Sequence, residues 1–212
     1  ITGLNDYVTR CQSVLQSGNS DNEILAYWPI YDQWNKPEGL DMPFKVHNID
    51  EWLYPTAFYK NVKSLKSIGY SFDFASDTML SNAAVKNGQL SVSSAGATYK
   101  VLLVSQTEYM PLSTLQSIIK LVKSGATIIM QGLPKQMPGM MGMNADTIKK
   151  FNEALSSIQA KKINELISEA ILGKGRMIIT QDVKFNNKAI KLDLAANTEV
   201  ASASLDFKKK SD

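Results

Sequence analysis

The chain has 212 residues, and its 23 Lys and Arg against 20 Asp and Glu give a formal net charge of +3. A composition of 44% hydrophobic and 20% charged residues excludes a disordered, collagen-like or coiled-coil chain, and the small charge excess does not predict nucleic-acid binding. No apolar run approaches the ~20 residues that a membrane-spanning helix needs. One Cys and one His exclude a disulfide within the chain and a zinc site with several thiolate or imidazole ligands.

The first part of the chain predicts a helix, a strand and a long connection. Residues 5–17 have apolar side chains at helical spacing and place Cys11 on the apolar face, where we expect it to be buried. The apolar run 23–28 indicates a buried strand. Residues 29–50 carry several prolines and aromatic residues and predict an irregular loop. A loop longer than about 12–15 residues in a compact domain is more often functional than idle.

The rest of the chain continues this alternation of helices and strands. Asn87-Gly88 is a strong hairpin signal. The predicted elements are a helix at 51–68, a strand at 70–74, a short helix from Ser76 or Asp77 to Leu80, a hairpin at 84–92, a strand at 99–104, a helix from Pro111 to Gly125, a strand at 126–130, a Met-rich loop at 131–143, a helix after Asn144, a second amphipathic helix through Ile163, Leu166, Ile167 and Ala170, and a strand at 176–180. Beyond it Ile190 and Leu192 suggest a helix, and residues 202–207 look extended.

Strands that alternate with helices predict an α/β fold with a doubly wound, mainly parallel sheet of five strands, flavodoxin-like, into which the hairpin is inserted. The expected strand order is 2-1-3-4-5 because right-handed crossovers permit few others. A ligand would then bind where the order reverses, between the ends of the first and third strands at Trp28-Pro29 and Ser105-Gln106. The aromatic loop and the Met-rich loop should leave the sheet at this edge.

The sequence excludes several reactions at that edge. No glycine follows the first strand, so no phosphate-binding loop and no nucleotide cofactor are predicted. No Cys or His follows the fourth strand, so glutamine amidotransferase chemistry is absent. Glycoside hydrolysis needs two carboxyl groups about 5–9.5 Å apart, and the sequence does not show which of the edge candidates converge: Asp32, Asp41, Asp50, Glu51, Asp73 and Glu108.

The loop after the first strand carries the candidate binding residues. Trp28, Tyr31, Asp32, Trp34 and His47 combine aromatic rings that stack on sugars with polar groups that bind hydroxyls. In the alternative interpretation the aromatic residues anchor the loop or face a neighbouring domain, and His47 has a hydrogen-bonded structural role. The methionines of the Met-rich loop predict an adaptable interface rather than a metal site. No metal ligands and no catalytic residues are predicted within the chain.

Several segments of the chain share a resemblance, in the same order, to one known family; they are residues 7–12, 15–18, 24–29, 71–77, 85–90, 99–104, 121–127 and 203–210. These segments resemble the large rhamnosidase-type glycoside hydrolases of family 106. The resemblance implies that residues 1–20 continue from a preceding catalytic barrel, that residues 21–185 form an α/β module similar to class I amidotransferases, and that residues 186–212 are a linker and the first strand of a following β-sandwich. It also implies a secreted or periplasmic protein.

In that family the barrel carries the acid and the base, so no catalytic residue maps onto this chain. The expectation is a non-catalytic accessory domain of a multidomain carbohydrate-active enzyme, whose partners are the neighbouring domains and an oligosaccharide, and whose 28–50 loop reaches the substrate cleft. Two alternatives stay open: a carbohydrate-binding module, and an autonomous glycosidase that uses carboxylates at the sheet edge.

Overall fold

The computed structural model describes residues 2–18, 21–39, 41, 44–92, 96–140 and 144–181. The expected linker and strand at 186–212 lie outside the described residues. The strands are β1 (Ile24–Tyr27), β2 (Phe72–Ala75), β3 (Ala84–Lys86), β4 (Gln89–Ser91), β5 (Thr98–Tyr99), β6 (Val101–Val104), β7 (Thr127–Gln131), β8 (Lys161–Lys162), β9 (Ile167–Leu172) and β10 (Gly175–Thr180). The α-helices are α1 (Thr2–Gln16), α2 (Ile30–Trp34), α3 (Ile49–Trp52), α4 (Ala57–Ser67), α5 (Asp77–Asn82), α6 (Leu112–Lys123) and α7 (Ala145–Ser156).

A seven-stranded sheet of order β2-β1-β6-β7-β10-β9-β8 forms the centre of the fold. The first five strands of this order are mutually parallel, and numbered along the chain they follow the expected order 2-1-3-4-5. The fold is therefore α/β with a mostly parallel sheet, as predicted. The sheet is larger than the expected five strands because β8 and β9 add an antiparallel edge.

Helices cover both faces of the parallel strands. All residues of β1 and β6 are buried, as their unbroken apolar sequences indicate. Leu25 and Leu102 belong to one core cluster with Leu115 of α6, whereas Ile24 belongs to the opposite cluster with Leu65 of α4. The alternation of strand side chains thus supplies two apolar layers, each closed by a helix.

The amphipathic helix predicted through residues 163–170 is wrong. The segment forms a turn and then β9, which pairs antiparallel with β10 from Gly175↔Leu172 to Thr180↔Ile167. Asn164 explains the difference, because its side-chain Oδ1 accepts hydrogen bonds from the backbone N–H groups of Leu166 (2.9 Å) and Ile167 (2.8 Å). These bonds give the backbone a local alternative to the helix.

Two boundaries near the functional edge also differ from the prediction. The segment 29–50 is not irregular throughout, since it contains α2 and a short 3₁₀-helix at Val46–Asn48. The helix predicted at 51–68 is two helices, α3 and α4, separated by a turn at Pro55. Thr56 begins α4 because its hydroxyl accepts a hydrogen bond from the N–H of Tyr59 at 3.0 Å.

The predicted hairpin is present and belongs to a small separate sheet, β3-β4-β5. Asn87 and Gly88 have φ values of 51° and 77°, the positive values that a tight two-residue hairpin turn requires.

The prediction that Cys11 is buried is wrong. It is half-exposed, because α1 buries none of its residues against the described structure.

Candidate functional site

The carboxyl ends of β1, β6 and β7 meet at one edge of the sheet, and α2 lies there between two cavities. Cavity A has a volume of about 720 Å³, and cavity B has a volume of about 210 Å³. Tyr31 and Trp34 of α2 line cavity A, whereas Asp32 and Gln33 line cavity B. Cavity B also takes residues from both predicted switch-point strand ends, Trp28-Pro29 and Gln106, and therefore occupies the place where doubly wound sheets bind ligands.

Cavity A joins the aromatic segment to the Met-rich loop. Tyr31 and Trp34 meet edge to face with ring centroids 5.5 Å apart, and 47% of the Trp34 surface is exposed. Ser113 and Gln116 of α6 lie on another side, and Met137 comes from the Met-rich loop. The volume is within the range of about 300–1,000 Å³ that small-molecule pockets have. The two loops expected to leave the same edge therefore share one cavity.

Backbone hydrogen bonds hold the Met-rich loop in this position. The carbonyl of Glu108 accepts from the N–H groups of Lys135 (2.9 Å) and Gln136 (3.1 Å), and the N–H of Met110 donates to the carbonyl of Gln136 at 3.0 Å. Met137 is consequently buried with 6% of its surface exposed. The first part of the Met-rich loop is thus attached to the segment that follows β6.

The Asp32 carboxylate connects α2 to the segment after β6. It accepts hydrogen bonds from the Thr107 hydroxyl (2.9 Å), from the Glu108 N–H (3.0 and 3.1 Å to its two oxygens) and from the Tyr109 N–H (2.8 Å). Three donors converge on one carboxylate, so the group satisfies the backbone of a turn. Asp32 therefore has a structural role in this arrangement.

Two further carboxylates are held by tyrosines, at opposite ends of the sheet. Asp77 follows β2 at the carboxyl edge, but Asp73 lies near the start of β2, beside residues that precede β1 and β6, so its expected place at the carboxyl edge is wrong. Asp73 accepts from the Tyr99 hydroxyl at 3.0 Å and from the Asn22 amide at 2.8 Å. Burial, aided by the hydrogen bond and charge of Asp73, raises the pKa of Tyr99 to about 12. Asp77 accepts from Thr114 and from the Tyr27 hydroxyl, and burial followed by the charge of Asp77 raises the pKa of Tyr27.

The ends of β6 and β7 carry a satisfied polar network. The Asn61 amide donates to the Ser105 hydroxyl at 2.9 Å and to the Gln131 side-chain carbonyl at 2.8 Å. The Gln131 carbonyl also accepts from the Gln106 N–H at 3.3 Å. This network fixes the relative positions of α4 and the two strand ends on one side of cavity B.

One residue of the cavity B lining, Gln33, has a buried acceptor without a donor. Gln33 is 4% exposed, and its Oε1 has no hydrogen-bond partner in the described structure. Trp28 and Phe58 form an aromatic wall with ring centroids 4.7 Å apart, and Lys36 completes the lining nearest α2. A concave pocket with aromatic walls and a few polar groups is the usual form of a small-molecule site.

The structure distributes the five predicted binding residues over three places. Trp28 and Asp32 line cavity B, and Tyr31 and Trp34 line cavity A. His47 lies exposed in the 3₁₀-helix and lines neither of these cavities. Within the described residues, no group of three His, Cys, Asp or Glu is arranged to hold a metal ion, and no helix is long and apolar enough to cross a membrane.

Sequence reasoning missed Gln33 and Gln116 as cavity residues, whereas Gln106 lies at a predicted switch-point strand end. A helix prediction for residues 30–34 is the signal that could have identified Gln33, because it places Gln33 next to Asp32 on the helix surface. The partners that define cavity A on α6 are distant in sequence from α2, and no local pattern joins them.

Comparisons with known proteins place the chain in a family. The model of glycosyl hydrolase family 106, described as alpha-L-rhamnosidase, matches residues 46–211. A protein of Formosa agariphila named "Putative beta-glucuronidase" is 29% identical over 135 residues, which are 64% of this chain and 10% of that protein. A rhamnosidase structure from Novosphingobium sp. PP1Y aligns at 24% identity and a TM-score of 0.44 over 54% of this chain and 10% of that chain.

The chain thus spans about a tenth of the length of these two relatives. The family match extends over more than half of the chain, from the segment before α3 onward. The chain therefore belongs to glycosyl hydrolase family 106.

Proposed function

We propose that this chain is a non-catalytic accessory domain of a multidomain glycoside hydrolase, with residues 1–20 leading from a catalytic barrel and residues 186–212 leading to a β-sandwich. Family membership and the small share of each relative that the chain covers support this proposal. The order of the parallel strands also supports a module similar to the flavodoxin-like core of class I amidotransferases. Without a Cys or His after β7, such a module has no nucleophile or base for amide hydrolysis.

The hydrogen bonding of Asp32 and Asp73, two of the carboxylates that the sequence offers as catalytic candidates, is the main support for the proposal. A glycosidase needs one carboxyl group to protonate the leaving oxygen and another to act as base or nucleophile. Asp32 is occupied by three donors of the 107–109 turn, and Asp73 is occupied by Tyr99 and Asn22. These groups hold the fold together, so they are poor candidates for an acid and a base that face a substrate.

Cavity A supports a contact with the substrate of the parent enzyme. Its opening presents Trp34, and its walls include the hydroxyl of Ser113 and the amide of Gln116. An exposed ring beside hydrogen-bonding side chains suits the mixed apolar and hydroxylated surface of a glycan. In this proposal the aromatic segment and the Met-rich loop form part of the rim of the cleft, while the barrel performs the reaction.

The exposed face of α1 supports a neighbouring domain. Val14 and Leu15 are 73% and 79% exposed, and Leu4 and Tyr7 are also largely exposed. A helix with an apolar face gains most of its stability from packing against another surface. We propose that the preceding barrel provides that surface.

Substitution of Asp32 and Asp73 in the full-length protein tests the proposal. Asp32→Asn and Asp73→Asn should leave kcat toward an aryl α-L-rhamnoside within about threefold of the unmodified enzyme, because a general acid or base contributes about 10²–10⁴-fold. Assays at a temperature well below the unfolding transition separate activity from stability. A loss of about 10²-fold or more in either variant, with the fold intact, would support the autonomous glycosidase instead.

A further inference from the structure

We propose that cavity A continues between α6 and α7 into a second, lysine-lined cavity, and that the two together bind an anionic glycan chain. The inference rests on the proposed function, because it takes the glycan of the parent enzyme as the source of the ligand. It deepens that proposal by naming the charge of the glycan and the direction in which it extends. Nothing in the contact proposed for cavity A requires a charged ligand or a site beyond that cavity.

The continuity of the two cavities is the first observation. Cavity C has a volume of about 490 Å³ and lies between α6 and α7. Gln116 lines both cavity A and cavity C, so the two meet at this residue. We call cavities A and C together the basic groove. The described lining of cavity C consists of Gln116, Ile119, Lys120, Lys123, Ser124, Ala154 and Ser157.

The basic groove follows the two helices from their starts to their ends. Ser113 and Thr147, in the first turns of α6 and α7, line cavity A. Lys123 and Ser157, at the other ends of these helices, line cavity C. The helical rise makes the segment from Ser113 to Lys123 about 15 Å long. A single sugar ring does not fill that length, so the ligand that fits the groove is a chain of several sugars.

The far end of the basic groove is positively charged. Lys120 and Lys123 line cavity C one helical turn apart on α6. Spacings of three and four residues place Lys150 on the same side of α7 as Thr147 and Ala154, which line cavities A and C. Among the described residues, none forms an ion pair with these lysines, and no Asp or Glu lines either cavity. The groove therefore offers uncommitted ammonium groups to an anion.

The helix dipole accounts for only part of this charge. Lys120 and Lys123 lie in the last turn of α6, where the carbonyl end of a helix favours cations. Lys150 lies in the middle of α7, whereas the effect of the dipole falls off within the last turn. Like charges along one groove repel one another, so a bound anion lowers the electrostatic energy of all three lysines.

The uncharged groups of the basic groove suit sugar hydroxyls. No described residue hydrogen-bonds to the exposed Gln116 amide, which has both donors and an acceptor. The Ser124 hydroxyl donates to the Lys120 carbonyl at 3.0 Å, and the Ser157 hydroxyl donates to the Ala154 carbonyl at 2.7 Å. The two serine oxygens still have lone pairs that accept from a ligand. The lysines thus suit the acidic groups of the glycan, and these side chains suit its hydroxyls.

Calorimetric titration of the 212-residue chain with short oligosaccharides tests the groove. An oligogalacturonate supplies carboxylates, an oligo-carrageenan supplies sulfates, and the methyl ester of the oligogalacturonate is the uncharged match of the first. At least one anionic chain should bind with a Kd at least about tenfold lower than that of the methyl ester, since bonds to charged groups are the stronger ones. The anionic chain that binds more tightly identifies the source of the charge.

Fluorine NMR of the chain labelled with 5-fluorotryptophan shows whether the same ligand reaches cavity A. The chain has three tryptophans, of which Trp34 lines cavity A and Trp28 lines cavity B. The anionic chain should shift the Trp34 resonance with saturation and leave the Trp28 resonance nearly unchanged. Galacturonic acid, the single sugar, should bind more weakly than the chain because it cannot occupy both cavities at once.

Matched double variants test the lysines. Lys120→Gln with Lys123→Gln should raise the Kd for the anionic chain at least about tenfold, because the charge-assisted contacts are lost. Lys60→Gln with Lys66→Gln makes the same change of net charge on α4, which covers the opposite face of the sheet, and should keep the original Kd. All four side chains are exposed, so the Tm of both variants should change little. Added salt should weaken binding, because it screens exposed charges.

Four results would overturn the basic groove: no saturable binding of either anionic chain, equal affinity for an anionic chain and the methyl ester, equal effects of the two double variants, or binding that does not shift Trp34. A neutral glycan that shifts Trp34 equally in both double variants would exclude the charged groove and leave the contact at cavity A standing. Activity lost in Asp32→Asn or Asp73→Asn would overturn the accessory role, and these titrations would still report on the groove.

Discussion

At the scale of the residue, two carboxylates that the sequence offers as catalytic candidates have structural roles, as acceptors of hydrogen bonds from other parts of the protein. Asp32 follows β1 at the carboxyl edge of the sheet, where ligand sites of α/β proteins are found, whereas Asp73 lies near the start of β2, at the opposite end. Their oxygens are nevertheless directed at donors of the protein itself. The sequence identifies the residue type, and for Asp32 also its place at the edge, but it does not contain the direction of the side chain.

Replacement of Asp32 tests its structural role. Asp32→Asn should lower the free energy of unfolding by about 1–3 kcal/mol, because the amide loses charge-assisted bonds and presents an N–H₂ group to backbone donors. Asp50→Asn is the matched control, since Asp50 is exposed on α3, and it should change stability by less than about 0.5 kcal/mol. Urea denaturation measures both, and equal effects would contradict the role assigned to Asp32.

The tyrosine and carboxylate pair at Tyr99 predicts alkaline destabilisation. The pKa of Tyr99 is raised from 10.0 to about 12 in the folded protein, so the unfolded chain loses its proton first as the pH rises. The stabilisation is complete below pH 10 and is lost as the pH rises toward about 12. Tyr99→Phe should therefore flatten the fall of the unfolding free energy between pH 10 and pH 12, compared with the unmodified chain. An identical slope in the variant would contradict this assignment.

At the scale of the element, the sequence predicts what depends on local pattern. The apolar runs of β1 and β6, the caps Ser76 and Asn144 and the turn Asn87-Gly88 each appear where expected. These features have local causes: burial on both faces, a side-chain acceptor for the first turn of a helix, and positive φ.

The predictions that fail depend on interactions across the chain. Ile163, Leu166, Ile167 and Ala170 fit helical spacing, but β10 offers β9 a full antiparallel partner and Asn164 stops the helix locally. The two cavities could not be predicted in full for a similar reason, because their walls come from α2, α4 and α6 and from two loops. The sequence alone does indicate the aromatic segment, the Met-rich loop and the switch-point strand ends of this site.

Two glycines provide a matched test of the β9–β10 hairpin. Gly173 and Gly139 both have a φ of 62°, but a Cβ at Gly173 would lie 2.5 Å from the Lys123 carbonyl oxygen, whereas a Cβ at Gly139 would meet nothing within 4 Å. Gly139→Ala should cost about 1–2 kcal/mol from backbone strain alone. Gly173→Ala should cost at least about 1 kcal/mol more, as measured by thermal or urea unfolding. Equal costs would show that the hairpin does not pack closely against the end of α6.

At the scale of the whole molecule, the chain is a family 106 module with a cavity on each side of α2. The doubly covered sheet makes a rigid base, and the segments at its carboxyl edge supply both cavities. In the proposed arrangement, reaction chemistry belongs to another domain of the parent protein, and this module contributes surface to the glycan. The family is described as alpha-L-rhamnosidase and the curated relative is named "Putative beta-glucuronidase", so a rhamnoside and a glucuronide are the substrates chosen for the test.

The most direct measurement is glycoside turnover by the 212-residue chain on its own. The purified, folded chain should release no p-nitrophenol from the α-L-rhamnoside or the β-D-glucuronide above the rate in buffer, even in long incubations at high protein concentration. Turnover that co-purifies with the chain and disappears in Asp32→Asn or Asp73→Asn would contradict the account, since it would mean that these residues alone suffice for the reaction.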